Sequence, residues 1–215
     1  MIISGAVITA DIVNSSSISK ENLNKLTDRL KALIDANNAR FLFYRGDSFQ
    51  CYIVDPYPAY KLALQMRTEI KGFSTLNPEI GTDLKISLGI GSIDTPVVKI
   101  NEAMGEAFII SGRELDNLKN EGRRFIIKSE NSTVNIALET ISLFTDYLFN
   151  DLTVKQAEVL QYLLNNRTQL EIAKTLKKSQ STINRHVQAL GWSELQHLLN
   201  IYQKCIQKIT RSNEQ

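Results

Sequence analysis

Gln169-Leu-Glu-Ile-Ala-Lys-Thr-Leu-Lys-Lys-Ser-Gln-Ser-Thr-Ile-Asn-Arg-His186 reads as two short helices with a break between them. Ile172, Ala173 and Leu176 share one apolar stripe at helical spacing. A polar break follows at Lys177–Ser179, and Ser179 is a candidate N-cap for the second helix. Small Ala173 stands where two helices must cross closely, and Ile183 anchors the second one. This is the pattern of a helix-turn-helix. Gln180, Ser181, Thr182, Asn184 and Arg185 then project outward, side-chain types that bond to base edges and phosphates when a helix lies in the major groove. Ser179 at the helix start and His186 further along complete the expected DNA-facing set. The competing reading is an ordinary helical hairpin with a polar face.

The neighbouring segments fit a helical unit. Val134–Phe149, Thr153–Asn165 and Ser193–Ile209 are amphipathic, and strand signals stop at about Ser132. Residues 151–215 carry nine Lys/Arg against five Asp/Glu, while residues 1–150 carry 16 against 18. The basic part therefore coincides with the motif, as attraction to phosphate backbones requires. A solvated helical face gives the same modest excess.

The first 130 residues alternate strand and helix patterns. Ile2–Thr9 is a nearly continuous apolar run, expected of a central strand, and Asp11–Ser17 leaves it as a polar turn. Leu23, Leu26, Leu30, Leu33 and Ile34 mark a helix closed by Asn37-Asn38. Arg40–Arg45 and Ser48–Val54 flank Gly46-Asp47 as a hairpin, Pro56 and Pro58 open a helix from Ala59 to about Lys71, and Asn77–Asp83 is a loop. Leu84–Ile93 and Arg123–Ser129 are strands around a helix at Glu106–Asn120. The order predicts an α+β fold: a ferredoxin-like, mostly antiparallel sheet covered on one side by helices, followed by an all-α helix-turn-helix domain. The expected divisions are 1–130 for the α+β domain, 131–150 for a connector helix and 151–215 for the DNA-binding domain.

Composition narrows the classes. With 43% hydrophobic and 22% charged residues, the chain is of the ordinary globular kind. Cys51 and Cys205 lie far apart without a Cys-x-x-Cys partner, which argues against a disulfide framework or a zinc ribbon. His186 and His197 have no metal-spaced partner, and no Walker loop, Rossmann fingerprint or Ser/His/Asp arrangement is present. The apolar start lacks a basic region and reads as a buried strand rather than a secretion signal, and no run approaches the roughly 20 residues needed to span a bilayer. A cytoplasmic location without membrane contact is the expectation.

Two carboxylates stand at suggestive places. Asp11 ends the first strand and Asp47 sits at the hairpin tip. In a ferredoxin-like sheet the first strand lies beside that hairpin, so both can converge at one edge. Paired carboxylates with a triphosphate hold Mg²⁺, which keeps waters and takes few protein ligands. Two such ions activate a hydroxyl and neutralise a pyrophosphate leaving group. For both aspartates the plain alternative is a strand-end cap and a turn residue.

Several short motifs carry a resemblance. Ala10-Asp11-Ile12-Val13 and Gly46-Asp47 resemble the two metal motifs of the class III nucleotidyl cyclases. Ser87-Leu-Gly-Ile-Gly91 and Gly105-Glu-Ala-Phe-Ile-Ile-Ser-Gly-Arg113-Glu-Leu115 resemble the strand and helix that follow in that fold. Together with Arg45-Gly-Asp-Ser-Phe-Gln50, these pieces are also similar to the SatD family of bacterial proteins, over about residues 1–128. The resemblance implies Asp11, Asp47 and the Ile12 carbonyl as ligands of Mg²⁺ or Mn²⁺. It implies Arg113 as a phosphate contact acting across a head-to-tail homodimer, and Glu102 as an acidic base-reader. Ser15 and Ser16 are either phosphate donors or, with Ser17, a helix N-cap cluster. Arg113 beside Glu114 and Asp116 has a surface ion pair as its alternative. The sequence departs from the cyclase pattern at Ile109, where an asparagine orients the ribose, and at Phe43, where a lysine reads the base. Losing such an orienting group lowers rate by powers of ten.

The combined expectation is a DNA-binding transcriptional regulator. Its amino-terminal domain senses a nucleoside triphosphate or metal, or mediates dimerisation. The alternative is a catalytically active, divergent nucleotidyl cyclase or nucleotidyl transferase with a regulatory helical domain.

Overall fold

The computed structural model describes residues 2–44, 47–73, 82–94 and 96–212. Arg45, Gly46 and most of the loop expected at 77–83 lie outside them. Five strands and eight helices are present among the described residues. Strand β1 (Ile2–Ile12) occupies the centre of one sheet. Its apolar run extends further than the sequence predicts, since Asp11 pairs with both Ser48 and Lys85. Asp11 and Ile12 are thus strand residues and not part of the turn.

Strands β2 (Arg40–Tyr44), β3 (Ser48–Ile53), β4 (Leu84–Asp94) and β5 (Phe125–Ser129) complete the sheet in the order β2-β3-β1-β4-β5. Every neighbouring pair is antiparallel except β4–β5. Alternation along β1 separates two buried faces. Ala6, Ile8 and Ala10 share a core with Leu26, Leu30 and Ile34 of α1 (Lys20–Ala36) and with residues of α2 (Ala59–Phe73). Val7, pointing the other way, packs with Ala107 and Phe108 of α3 (Glu106–Glu121).

Helices therefore cover both faces, not one. Small residues permit it: a Cβ on Gly89 would collide with the Ala107 carbonyl and the Ser111 amide of α3. Gly105 starts that helix at φ +132, a backbone that L side chains rarely adopt. The cap of α1 is Ser19, whose hydroxyl accepts from the Asn22 amide at 3.3 Å. Ser15–Ser17 form a separate 3-10 turn, so they are not the cap cluster expected from the sequence.

Helix α4 (Ser132–Asn150) lies along the outer edge of β5. Asn135 Oδ1 accepts from the Ser129 amide at 2.8 Å, and Ser142 Oγ from the Ile127 amide at 2.8 Å. Asp146 Oδ2 accepts from the Arg124 and Phe125 amides, both at 3.1 Å. Side chains thus satisfy an edge that would otherwise present unpaired groups. The expected connector helix is in this way bonded to the sheet.

Helices α5 (Val154–Leu164), α6 (Gln169–Thr175), α7 (Gln180–Ala189) and α8 (Trp192–Ser212) follow. Thr153 with Gln156 and Thr168 with Glu171 form capping boxes, while Ser179 caps α7 through the Thr182 amide at 3.2 Å. Lys177 takes a left-handed conformation, φ +51, in the turn between α6 and α7. One apolar cluster runs from the sheet through α4 to α8. Tyr60 of α2 bonds to Thr145 at 2.7 Å, and Tyr202 of α8 donates to the Pro56 carbonyl at 2.7 Å. Packing therefore crosses the boundary expected near residues 129–132.

A charged cluster fastens the same junction. Arg67 of α2 is fully buried and meets Asp83 Oδ1 through Nε at 2.9 Å and Asp146 Oδ1 through Nη1 at 2.7 Å. Arg124 reaches Asp83 Oδ2 at 3.0 Å. The sequence shows nothing of this cluster.

Candidate functional site

Two places concentrate the residues singled out from the sequence. The first is the sheet end where β1 stops beside the β2–β3 hairpin. The Ile12 amide donates to the Asp47 carbonyl at 3.0 Å, so the segments that carry the two aspartates are adjacent. Their side chains have different partners. Asp11 turns to the α3 face, and its Oδ2 lies 3.3 Å from Lys119 Nζ. Asp47 Oδ2 accepts from the Ser15 hydroxyl at 2.7 Å. The side chain of Ile12 is buried in the opposite core, and Ser16 is exposed.

Lys119 also reaches Asp116 Oδ1 at 3.1 Å. The hydrogen bond to Asp116, with the charge of Asp11, holds its ammonium above the ordinary lysine range despite partial burial. A cation therefore already neutralises Asp11. Two hard oxygen ligands from the aspartates and a backbone carbonyl suit Mg²⁺ in kind. Lys119 would have to swing aside, and no group of three or more His, Cys, Asp or Glu that could hold a metal occurs among the described residues. Behind Asp11, Thr9 donates to Ser111 Oγ at 2.8 Å and accepts from Gln50 at 3.2 Å, a polar layer between the sheet and α3.

The remaining cyclase-like positions lie elsewhere in the chain. Glu102 is at the other end of the sheet, beyond Asp94, which pairs with Ile2; its carboxylate meets Lys99 at 2.9 Å. Arg113 lies midway along α3, 59% exposed, with Nε 3.5 Å from Glu114 Oε1. Ile109, one turn before it, shares that exposed face. Phe43 stacks on Phe49 with ring centroids 4.8 Å apart, so it belongs to the packing of the hairpin. Asp47 and Ser15 are thus brought together beside the strand end that carries Asp11, whereas Glu102 and Arg113 are not brought to them within one chain. Lys119 was missed from the sequence, because a lone lysine near a helix end carries no pattern.

The second place is the surface of α6 and α7. Ile183 and Val187 are buried, as are Ile172 and Ala173 of α6. Gln180, Ser181, Asn184 and Arg185 are exposed; Thr182 and His186 are half-buried. Ser179 Oγ is drawn into the cap, 2.8 Å from Thr182 Oγ1 and 3.0 Å from Ser181 Oγ. Lys174, Lys177 and Lys178 are exposed beside this face.

No family model matches the chain, and no curated protein matches it. Solved structures of nucleotidyl cyclases are similar to it in part. A bacterial light-regulated adenylyl cyclase is 11% identical, with a TM-score of 0.45 over 59% of this chain and 76% of that one. The dimeric guanylyl cyclase domain of the RhoGC fusion protein from the aquatic fungus Blastocladiella emersonii is 22% identical, with a TM-score of 0.44 over 54% of this chain and 75% of that one. The guanylate cyclase domain of RhGC from Catenaria anguillulae, in complex with GTP, is 22% identical at a TM-score of 0.43, over 54% and 74% respectively.

Proposed function

We propose that the chain is a DNA-binding transcription regulator in which α6 and α7 form a helix-turn-helix and α7 is the reading helix. One observation carries the proposal. Ile183 and Val187 fix α7 in the core while Gln180, Asn184 and Arg185 stand exposed on its outer side, with Ser181 beside them bonded to the cap. Amide and guanidinium side chains on an exposed helix are the groups that pair with adenine and guanine edges in the major groove. The lysines at 174, 177 and 178 supply the phosphate contacts that hold such a helix in register. In this reading the ferredoxin-like sheet domain acts as a sensor. A nucleoside triphosphate or divalent cation at the Asp11–Asp47 end shifts the placement of α7 by binding one arrangement better than the other.

Selection of bound duplexes from a random pool, followed by titration at several salt concentrations, tests this. Specific binding is expected, with Asn184→Ala or Arg185→Ala losing about 1–3 kcal/mol and relaxing one base position. Undiminished binding by both variants would remove α7 as the reader.

A second reading keeps catalysis. The shared sheet end of Asp11, Asp47 and Ser15 favours a divergent nucleotidyl cyclase or transferase. Incubation with each nucleoside triphosphate and Mn²⁺ decides it, if cyclic product forms and disappears in Asp47→Ala.

A further inference from the structure

Helix α4 has three faces. Val134, Leu138, Ile141 and Phe149 lie in the core, and Asn135, Ser142 and Asp146 bond to the edge of β5. The third face is exposed and apolar: Ile136 is 83% exposed, Leu143 51%, Phe144 45% and Tyr147 69%. Their spacing puts them on one stripe of a helix, the pattern of a helix–helix seam. The rings of Phe144 and Tyr147 already rest against each other, with centroids 5.9 Å apart. Together the four partly exposed side chains make a patch on the order of 400 Å² of apolar surface, in the range where the largest patch of a monomer is often functional.

Charge identifies the occupant. α4 contains no Lys or Arg, and its acidic residues are Glu139 and Asp146. Asp146 is buried, and Glu139 is held by Arg123 at 3.1 Å. The face therefore offers no free charge to a charged partner and no basic rim to a lipid surface. It carries no like charge to repel an identical face either. With Thr133 and Thr140 on the same stripe, the patch along this helix of about 28 Å supplies about half of the roughly 800 Å² per partner of a standard interface, the size of a weak association.

We propose that this face of α4 is the interface between two copies of the chain, related by a twofold axis so that the same patch meets itself. The proposal does not depend on DNA binding by α7. Its consequence for that reading is two α7 helices in one assembly.

Light scattering and sedimentation of the full chain at micromolar concentration test it. The expected mass is twice the 24.3 kDa of one chain. Leu143→Glu and Phe144→Asp, both at exposed positions, are each expected to halve it with an unchanged far-UV spectrum. Thr140→Cys, on the stripe between Ile136 and Phe144, should give a covalent dimer on oxidation, because Cys51 and Cys205 are buried. A wild-type chain that keeps the single-chain mass at every concentration overturns the proposal. So does a dimer that survives both charged substitutions. Loss of the dimer with duplex binding retained separates this interface from the α7 reading.

Discussion

Arg67 has no exposed surface, and two carboxylates from different parts of the chain share its guanidinium. Its ring-like plane also lies 4.9 Å from the centroid of Phe149. Burying a guanidinium is tolerable only with such pairing, and removing one partner leaves uncompensated charge. Arg67→Met should therefore lower stability by about 3–5 kcal/mol, read as a shift in urea midpoint at constant slope. Burial alone would raise the Asp83 carboxyl, but the charge and hydrogen bonds of Arg67 and the charge of Lys71 hold it below its ordinary 3.8. A depressed acid stabilises the fold above its unfolded value and loses that contribution as pH falls through the folded one. The urea midpoint of the wild type should fall below pH 3.8, and more steeply than that of Asp83→Asn. Equal slopes would show that Asp83 is not the group titrating; Glu114, also held low, would then be the candidate. None of this was legible in the sequence. Arg67 falls at a polar position of a helical pattern, and its partner Asp146 is 79 residues away. Lys119 beside Asp11 was hidden for the same reason, whereas the adjacency of the backbone segments that carry Asp11 and Asp47 was legible from a strand end meeting a hairpin tip.

At the scale of elements the sequence carried more. Strands and helices fell close to their expected places because apolar periodicity is a local signal. The role of α4 was not local. Its residues 135, 142 and 146 sit on one polar line that a helical pattern assigns to solvent, yet they replace a missing strand beside β5. Ser142→Ala tests that substitution of side chain for strand. It leaves the Ile127 amide buried without its acceptor, which costs about 1–3 kcal/mol. Amide hydrogen exchange at Ile127 should quicken in this variant, while α7, distant from the edge, keeps its protection. Unchanged exchange at Ile127 would mean that another group or a water takes over the hydroxyl. The turn between α6 and α7 also departs from the residue types that favour it. Lys177 adopts the left-handed backbone at φ +51 where glycine is the least strained choice.

The whole molecule turns on whether residues 1–130 and 131–215 are two units or one. Sequence composition changes at that border, which is why two domains are the expectation. Contacts do not respect it: Tyr60 meets Thr145 and Tyr202, Arg67 meets Asp146, and Gln203 donates to the Tyr57 carbonyl at 2.8 Å. If these contacts couple the parts, unfolding is one cooperative transition. The single tryptophan, Trp192, reports on the helical part, and the far-UV band reports on all elements. Both should give the same urea midpoint, and the isolated piece 1–130 should aggregate, since it would expose Tyr60, Phe125 and the open edge of β5. Two separate midpoints would restore an independent helical head. That outcome would also change how a ligand at the sheet end could act. In a single cooperative unit, an event at Asp11 or Asp47 would have to reach α7 from β1 through α2 and α5, which pack on one another in turn, without a hinge. With two units it would have to act through their relative placement.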